Sequence, residues 1–589
     1  TQNYEMEKPL LDQIEQLFEV YRKTTDEAER KEIYHQIDSI SYEASKYAIP
    51  NEYDKLMAAI GANGTNAYTG FDMTVYTEDI PSNQIDNWAK IQADRFENNV
   101  IRGFHTELET VYEEKNMSLT SDGRKVYEAV LSALFPDHPY GTQTVLGTQE
   151  NLKNPSITNI KNYHNTWYVP NNMAICMSGD FDPDKTIEVI NKYFGHLQPN
   201  PNLPKLPVTH ESPIKAPVVK EVLGVDAENV TLGWRFPGAS SPEEDLLNLT
   251  GEIVNNGKAG LLDVDLVQQQ KVLSCYAGTY GMADYNAFVM SGRPKQGQTL
   301  DDVKDLFLAE IEKLKKGDFD EGLLEAAINN YKLMQMYRLD NNSSRADMFV
   351  SAFINGVDWK DEVAQLERLS KVTKQQIVDF ANKYFGRTSR MKFFNITTYS
   401  LDFEKKIDKP KITPIVMNRD SSSVFLKEIQ AVEVAPIEPV FLDYDKDLQK
   451  LTAKSDIPVL YKQNMTNDVF SLMYVFEMGT NNDKAMGTAF EYMKYLGTSK
   501  KSLKEINEEF YRLACYFNVF PGADRTYVML EGLKENMPKA MALFEEILAD
   551  AQVDKDTYGN LAILESGPGK SRKNYKNGLS CNIISFQSS

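Results

Sequence analysis

The amino-acid sequence predicts an α+β protein built from duplicated domains. Three segments each contain two short strands around a turn, followed by an amphipathic helix. An aspartate lies in each of the three turns, at Asp72, Asp284 and Asp524. The repeated units are about 200 residues long, which is much longer than the repeat of a solenoid. We therefore expect separate domains that each combine helices with a sheet.

The first of these segments begins with two predicted strands. Residues 66–69 and 73–78 are rich in Thr, Tyr and Val, which favour strands. Gly70 and Asp72 lie between them and favour a turn. Apolar residues then recur at steps of three and four over residues 85–96, which predicts a helix with one buried face.

A second amphipathic helix follows and carries two carboxylates of interest. Glu107 and Glu114 are seven residues apart, nearly two helical turns, so they lie at the same edge of its apolar stripe. Lys115 would project from the middle of that stripe, where a lysine extends its ammonium group outward or the helix ends. The spacing alone is more typical of a solvated acidic helix than of a functional site.

The rest of the chain divides at two proline-rich stretches. We expect a first domain at 1–199, a linker at 200–217 and a second domain at 218–404. A connector at 405–440 and an incomplete third domain at 441–589 follow. Proline fixes φ and removes a hydrogen-bond donor, so such stretches do not continue a helix and are typical of linkers.

Composition argues against several classes of function. Lys and Arg number 64 against 85 Asp and Glu, and the net charge of −21 argues against nucleic acid as a partner. The sequence contains no apolar run of roughly 20 residues, so we expect no membrane span. The four cysteines are widely separated and show neither a paired metal-binding spacing nor a dense disulfide framework.

Several short motifs resemble those of the pitrilysin/insulinase family of zinc metallopeptidases. The motifs are NAYTGFDMTVY from Asn66, ETVYEE from Glu109, HPYG from His138, WYVPNNM from Trp167 and SGDFD from Ser178. They occur in the family's order, and a weaker likeness extends into the second and third domains. The resemblance implies antiparallel-rich mixed sheets packed by helices on one face. It also implies two clamshell halves, joined by the connector, that close around a chamber.

The resemblance implies a chemistry as well. Family members bind Zn²⁺ through an H-x-x-E-H helix, whose two imidazoles lie one turn apart, and through a downstream glutamate. The metal lowers the pKa of its bound water to about 7, so hydroxide forms at neutral pH. By this likeness Glu114 is the zinc carboxylate, and Glu107 is a catalytic-site carboxylate that supports it.

One predicted strand resembles the family's substrate-binding edge strand. Its residues are Asn66, Ala67, Tyr68 and Thr69. A peptide would add beside them through backbone hydrogen bonds, which suits a protease that reads sequence loosely. The other interpretation is an ordinary buried strand.

The histidines depart from the family pattern. None of the six belongs to an H-x-x-E-H motif. His105 precedes Glu107, but the pair provides too few ligands for zinc, and we expect His105 to be a surface residue. In one explanation the motif lies upstream of Thr1, because the family's first domain begins with a strand and the motif helix. In the other, the chain is a non-catalytic family member. The retained glutamates favour the first explanation.

The sequence therefore predicts a zinc-dependent endopeptidase that cleaves short or unfolded peptides inside a closed chamber. This chain lacks the zinc-binding histidines and is expected to be inactive as printed. The alternative is a non-catalytic peptide-binding or partner subunit of the same family. The expected partners are a peptide substrate and, as open alternatives, a second copy of the chain or a family partner subunit. The bacterial enzymes that it resembles suggest the periplasm or cell envelope as its location.

Overall fold

The predicted α+β class is confirmed by the fold. The computed structural model describes residues 3–206, 209–386, 390–397, 410–555 and 558. These residues form helices separated by short strands, and the strands are arranged in four separate, mostly antiparallel sheets. None of the helices in this part of the chain combines the length and the apolar character needed to cross a membrane.

The helices are numbered in chain order. Those before residue 200 are α1 (Tyr4–Tyr21), α2 (Glu27–Ser45), α3 (Glu52–Ala59), α4 (Ile85–Glu97), α5 (Phe104–Leu119), α6 (Asp122–Leu134), α7 (Pro139–Thr142), α8 (Gln149–Lys153), α9 (Ile157–Trp167) and α10 (Pro183–Phe194). Those between residues 200 and 400 are α11 (Glu244–Val254), α12 (Leu300–Lys316), α13 (Glu321–Asp340), α14 (Asn342–Asn355), α15 (Trp359–Val363), α16 (Gln365–Leu369) and α17 (Lys374–Tyr384). The remaining ones are α18 (Val424–Gln430), α19 (Met486–Met493), α20 (Leu503–Arg512) and α21 (Met537–Asp550).

The strands form two hairpins and two larger sheets. The hairpins are β1 (Asn63–Thr69) with β2 (Thr74–Asp79), and β8 (Gln449–Thr452) with β9 (Pro458–Tyr461). A five-stranded sheet contains β3 (Val218–Gly224), β4 (Asn229–Pro237), β5 (Ser274–Tyr280), β6 (Tyr285–Arg293) and β7 (Arg390–Thr397), in the order β3-β7-β4-β6-β5. A three-stranded sheet contains β10 (Val469–Phe476), β11 (Cys515–Pro521) and β12 (Thr526–Leu533), in the order β10-β12-β11. The β3–β7 pair is parallel and the other pairs are antiparallel.

The same unit of hairpin and helix occurs three times. The β1–β2 hairpin precedes α4, β5–β6 precedes α12, and β11–β12 precedes α21. Asp72, Asp284 and Asp524 lie in the three hairpin turns, as the sequence predicts. The domain boundaries themselves stay a prediction, since residues 405–409 and 559–589 lie outside the described residues.

The central strands of the five-stranded sheet are buried on both faces. On one face, alternating side chains of β4 pack with residues of α11, α12 and α17; they are Val230, Leu232, Trp234 and Phe236. On the other face, Gly233 lies against Val130 and Leu134 of α6. The sheet's own helices therefore cover one face, and a helix from the first 200 residues covers the other. Burying each of these large apolar side chains stabilises the fold by about 1.5–3 kcal/mol.

One predicted strand is absent. Residues 173–178 are apolar, yet they form no ladder with any strand in the described part of the chain. An apolar run becomes a strand only where a neighbouring strand satisfies its backbone groups. Ile175 is correspondingly 39% exposed.

The predicted connector packs against α2, α3 and α4 over its described part. Thr413 donates its N–H and its hydroxyl to the Asp38 carboxylate of α2, at 2.8 and 2.6 Å. Asn418 donates its side-chain amide to carbonyls at the end of α2. Leu426 and Ile429 of α18 are buried among apolar residues of α3 and α4. This stretch is therefore fixed to the first 100 residues by both polar and apolar contacts.

The prediction that His105 lies at the surface is wrong, because its side chain is only 1% exposed. Its Nε2 lies 3.3 Å from the Asp38 carboxylate. His105 falls at helical spacing with Leu108 and Tyr112, on the face of α5 that is buried. Lys115 is buried on the same face. The helical period, rather than residue polarity, decides which side chains are enclosed here.

Stability should decrease on acidification because of His105. Burial lowers its pKa below the usual 6.5, and the carboxylates of Asp38 and Glu109 only partly oppose this effect. Between the folded pKa and 6.5 the unfolded chain binds more protons, so stability is full above 6.5 and falls as the pH drops through this window. The melting temperatures of the wild type and of His105→Gln at about pH 7.5 and about pH 5.5 measure the effect.

His35, which is exposed on α2, provides the control for this experiment. The His105→Gln variant should show a weaker dependence on pH than the wild type, whereas His35→Gln should show the wild-type dependence. Equal pH dependence in all three proteins would contradict the assignment.

Candidate functional site

β1 is an exposed edge strand. All seven of its residues are exposed, and among the strands that the structure describes it pairs only with β2. Asn66, Ala67, Tyr68 and Thr69 all lie on it. The alternative interpretation, a buried strand, is therefore wrong.

The alternation of the β1–β2 ladder determines which backbone groups face the free edge. The Gly70 N–H donates across the turn at 2.9 Å, so Tyr68 and Asn66, two and four residues before it, hydrogen-bond with β2. Ala67 and Thr69 therefore direct their N–H and C=O groups away from β2. The Ala67 N–H donates instead to the side-chain oxygen of Asn66, at 2.9 Å. These groups are positioned to pair with an incoming strand once the Asn66 side chain moves aside.

The hairpin is held to the helices by a buried carboxylate. A two-stranded hairpin is marginally stable on its own, but the Glu78 side chain of β2 is 6% exposed and accepts several hydrogen bonds. Its donors are Trp88 Nε1 at 3.0 Å, Gln92 Nε2 at 2.9 Å and the Tyr53 hydroxyl. Burial and Glu78 raise the pKa of Tyr53 to about 12, so the hydroxyl remains a donor at neutral pH.

A guanidinium group strengthens the same attachment. Arg95 of α4 lies over the rings of Tyr53 and Tyr76, 4.2 and 4.3 Å from their centroids. Such cation–π contacts are worth about 0.5–2 kcal/mol each. Because Tyr76 belongs to β2, the face of the hairpin that carries it is fixed against α4.

The hairpin turn is held by residues far away in the sequence. The Tyr140 hydroxyl donates to the Asp72 carboxylate, 2.8 and 2.9 Å from its two oxygens, and accepts the N–H of Asp284 at 3.0 Å. The Ala283 N–H also donates to Asp72, at 3.2 Å. His138 Nδ1 accepts the Tyr140 N–H, so its proton lies on Nε2, which is 3.1 Å from the Asp284 carboxylate. Two of the predicted turn aspartates therefore meet around one tyrosine.

Glu107 and Glu114 both lie exposed on α5. No group of three His, Cys, Asp or Glu side chains among the described residues is arranged to hold a metal ion. His105 faces Asp38 and His138 faces Asp284, so neither is directed at the glutamate pair. The residues present provide carboxylates but not the imidazoles that a zinc centre of this kind requires, so they do not fit zinc by themselves.

The residues that hold the hairpin were not among those predicted from the sequence. Tyr140 and His138 belong to the HPYG motif, but nothing in its spacing indicates a contact with Asp72. The sequence does indicate a hydrogen-bonding role for Gln92, because a polar side chain on a buried helix face requires a partner. Nothing in the sequence indicates that Glu78 is buried, since an acidic residue in a strand is most often exposed.

Comparison with known proteins points to a peptidase family. The family model of the Peptidase M16 inactive domain matches residues 156–331. The zinc protease PqqE of Helicobacter pylori is 22% identical over 370 residues, which cover 62% of this chain and 82% of that protein. A probable mitochondrial-processing peptidase subunit beta of Schizosaccharomyces pombe is 25% identical over 169 residues, which cover 28% of this chain and 36% of that protein.

Solved structures share the fold. The structure of a protease from Helicobacter pylori aligns with a TM-score of 0.55 and 22% identity, over 59% of this chain and 84% of that one. Pitrilysin aligns with a TM-score of 0.50 and 13% identity, over 86% of this chain and 57% of its own. The domain match and the named relatives agree with the resemblance of the motifs to the pitrilysin/insulinase family of zinc metallopeptidases.

Proposed function

We propose that the chain binds short or unfolded peptides as an additional strand on the free edge of β1. The observation that carries the proposal is the exposure of β1, with the N–H and C=O groups of Ala67 and Thr69 directed away from β2. Backbone hydrogen bonds supply affinity in this mode, while side chains contribute little selectivity. The peptide must already be extended, so folded proteins are poor ligands.

A more specific proposal adds zinc-dependent endopeptidase activity to peptide binding. In it, the bound peptide is cleaved within a closed chamber, with Glu114 as a zinc ligand and Glu107 as its supporting carboxylate. Their exposure on α5 leaves both carboxylates accessible to a metal centre that imidazoles complete. The described residues do not provide those imidazoles, so no catalytic step is assigned to them.

The second candidate function is a metal-free peptide-binding or partner subunit. It is favoured by the positions of His105 and His138, each of which faces a carboxylate away from the glutamate pair. One relative is itself named a subunit. Incubating the natural full-length protein and a peptide with Zn²⁺ or with EDTA separates the candidates. Zinc-dependent cleavage supports the endopeptidase, and unchanged binding without cleavage supports the subunit.

Replacing Ala67 by Pro should abolish peptide binding without unfolding the hairpin. The substitution removes the N–H that faces the free edge, and the Ala67 position makes no ladder hydrogen bond with β2. We expect the affinity for a fluorescein-labelled peptide of about ten residues to fall at least about tenfold, measured by fluorescence anisotropy.

The matched control is Ala67→Val, which keeps the N–H and favours the strand conformation. This variant should bind the peptide as the wild type does. Equal affinity of Ala67→Pro and the wild type would exclude pairing at this edge, and a wild type that does not bind would exclude the proposed function.

A further inference from the structure

We propose that Tyr140 is a positioning residue for the peptide-binding strand, and that the β5–β6 turn holds it in place. The inference rests on the proposed function, since it concerns how β1 is presented to a peptide. Tyr140 does not touch the free edge of β1. It acts through Asp72, the residue of the β1–β2 turn whose carboxylate its hydroxyl binds.

The Tyr140 hydroxyl has two roles that no other part of its side chain can provide. It donates to Asp72 and at the same time accepts the Asp284 N–H at 3.0 Å. Its ring contributes separately, because it packs against Phe71 of the same turn with the centroids 5.2 Å apart. Tyr140 is 3% exposed, so water does not readily replace these hydrogen bonds. Removing the hydroxyl alone therefore tests the polar link and leaves the ring contact in place.

The link joins parts of the chain that are distant in sequence. Asp72 and Ala283 are 211 residues apart, yet the Ala283 N–H donates directly to the Asp72 carboxylate. The β5–β6 hairpin belongs to a five-stranded sheet with a large apolar core, and so provides a rigid support. Among the described residues, β1 and β2 pair with no strand but each other, so their hairpin depends on its attachments. The turn of the weaker hairpin is thus fixed by the turn of the stronger one.

Fixing the turn fixes the strand that leads into it. Ala67 lies two residues before the end of β1, where the turn that contains Asp72 begins, so a rotation at the turn displaces its N–H. A peptide that pairs with a mobile strand must also order that strand, and this ordering reduces the affinity. The Tyr140 hydroxyl therefore contributes to peptide affinity by restricting β1 before the peptide arrives.

Tyr140→Phe should weaken peptide binding about tenfold, measured with the same labelled peptide by anisotropy. The amides of β1 and β2 should exchange with solvent faster, while those of β4 and β6 keep their protection. The matched control is Tyr112→Phe. Tyr112 is 4% exposed and donates one hydrogen bond, to the Leu152 carbonyl in a separate cluster, and its loss should leave peptide affinity unchanged.

Asp72→Asn provides a second variant that does not disturb the interior, because Asp72 is exposed. It keeps one acceptor oxygen, so its affinity should lie between those of the wild type and Tyr140→Phe. Wild-type affinity and wild-type exchange in both variants would overturn the inference while leaving the proposed function intact. A uniform rise in exchange across β4 and β6 as well would also overturn it, since Tyr140 would then be a general stability residue.

Discussion

Replacing Glu211 by Ala is expected to lower the free energy of unfolding by about 3–5 kcal/mol, because it leaves the largely enclosed charge of Arg235 without its carboxylate partner. The Glu211 side chain is 1% exposed and that of Arg235 is 11% exposed, and their charged groups are 3.1 Å apart. Urea denaturation of the wild type and the variant measures the difference.

The expected loss is large because Glu211 satisfies more than one group. One of its carboxylate oxygens accepts the N–H groups of Asp137 and His138, at 2.9 and 2.8 Å. The other accepts from Arg235, a residue of the central strand β4. Removing the carboxylate leaves the Arg235 guanidinium and the N–H groups of Asp137 and His138 without this acceptor, and the enclosed groups lose hydrogen bonds that water replaces poorly.

An exposed ion pair of the same type provides the control. Glu367 and Lys371 are about one helical turn apart, with side chains 71% and 70% exposed. Glu367→Ala should leave the free energy of unfolding nearly unchanged, as is usual for surface pairs. Similar effects of Glu211→Ala and Glu367→Ala would show that the buried pair is not important for stability.

Glu211 also illustrates what sequence reasoning can and cannot predict. It lies in the proline-rich stretch 200–217, and the absence of helix and strand from its described part follows directly from that composition. The burial of one glutamate within it does not, because Arg235 and the 137–138 amides come from other segments. Local composition predicts the conformation of a linker, but its contacts depend on how distant elements pack.

The helical period of the sequence predicted the buried faces of helices more reliably than it predicted the function of single residues on them. In α4, Gln92 falls on the apolar face predicted for residues 85–96, and its side chain is buried. In α5 the same spacing applied to His105 would have predicted its burial, but the surface position was expected because the pair with Glu107 provides too few zinc ligands. A polar residue on a buried face is the informative exception, since it requires a partner that the sequence does not name.

For the candidate site as well, some features could be predicted from the sequence and others could not. β1 and its turn follow from local residue preferences at positions 66–72, and their exposure on an edge agrees with the family resemblance. The attachment of the turn to Tyr140 could not be predicted, since it depends on contacts across large sequence separations. The roles of Glu107 and Glu114 stay predictions, and their exposure on one helix is what the sequence spacing indicated.

Glu78→Ala is expected to free the β1–β2 hairpin from α3 and α4 and to abolish peptide binding. Three donors, on Tyr53, Trp88 and Gln92, converge on this one carboxylate. Hydrogen bonds to a charged acceptor are worth about 1.5–3 kcal/mol each, so the loss exceeds the stability of an isolated hairpin. Hydrogen exchange should show full loss of protection in β1 and β2, and anisotropy should show no binding of the labelled peptide.

The effect should be confined to the hairpin, because Glu78 contacts α3 and α4 rather than the five-stranded sheet. Amides of β4 and β6 should therefore keep their protection in the variant. Thr74→Ala, an exposed change at the other end of β2, is the matched control and should retain both protection and peptide binding. If Glu78→Ala loses protection in β1 and β2 but still binds the peptide with wild-type affinity, the peptide pairs elsewhere. Since pairing with a disordered edge would first have to order it and would therefore weaken binding, that single result would separate the stability of the hairpin from the function proposed for it.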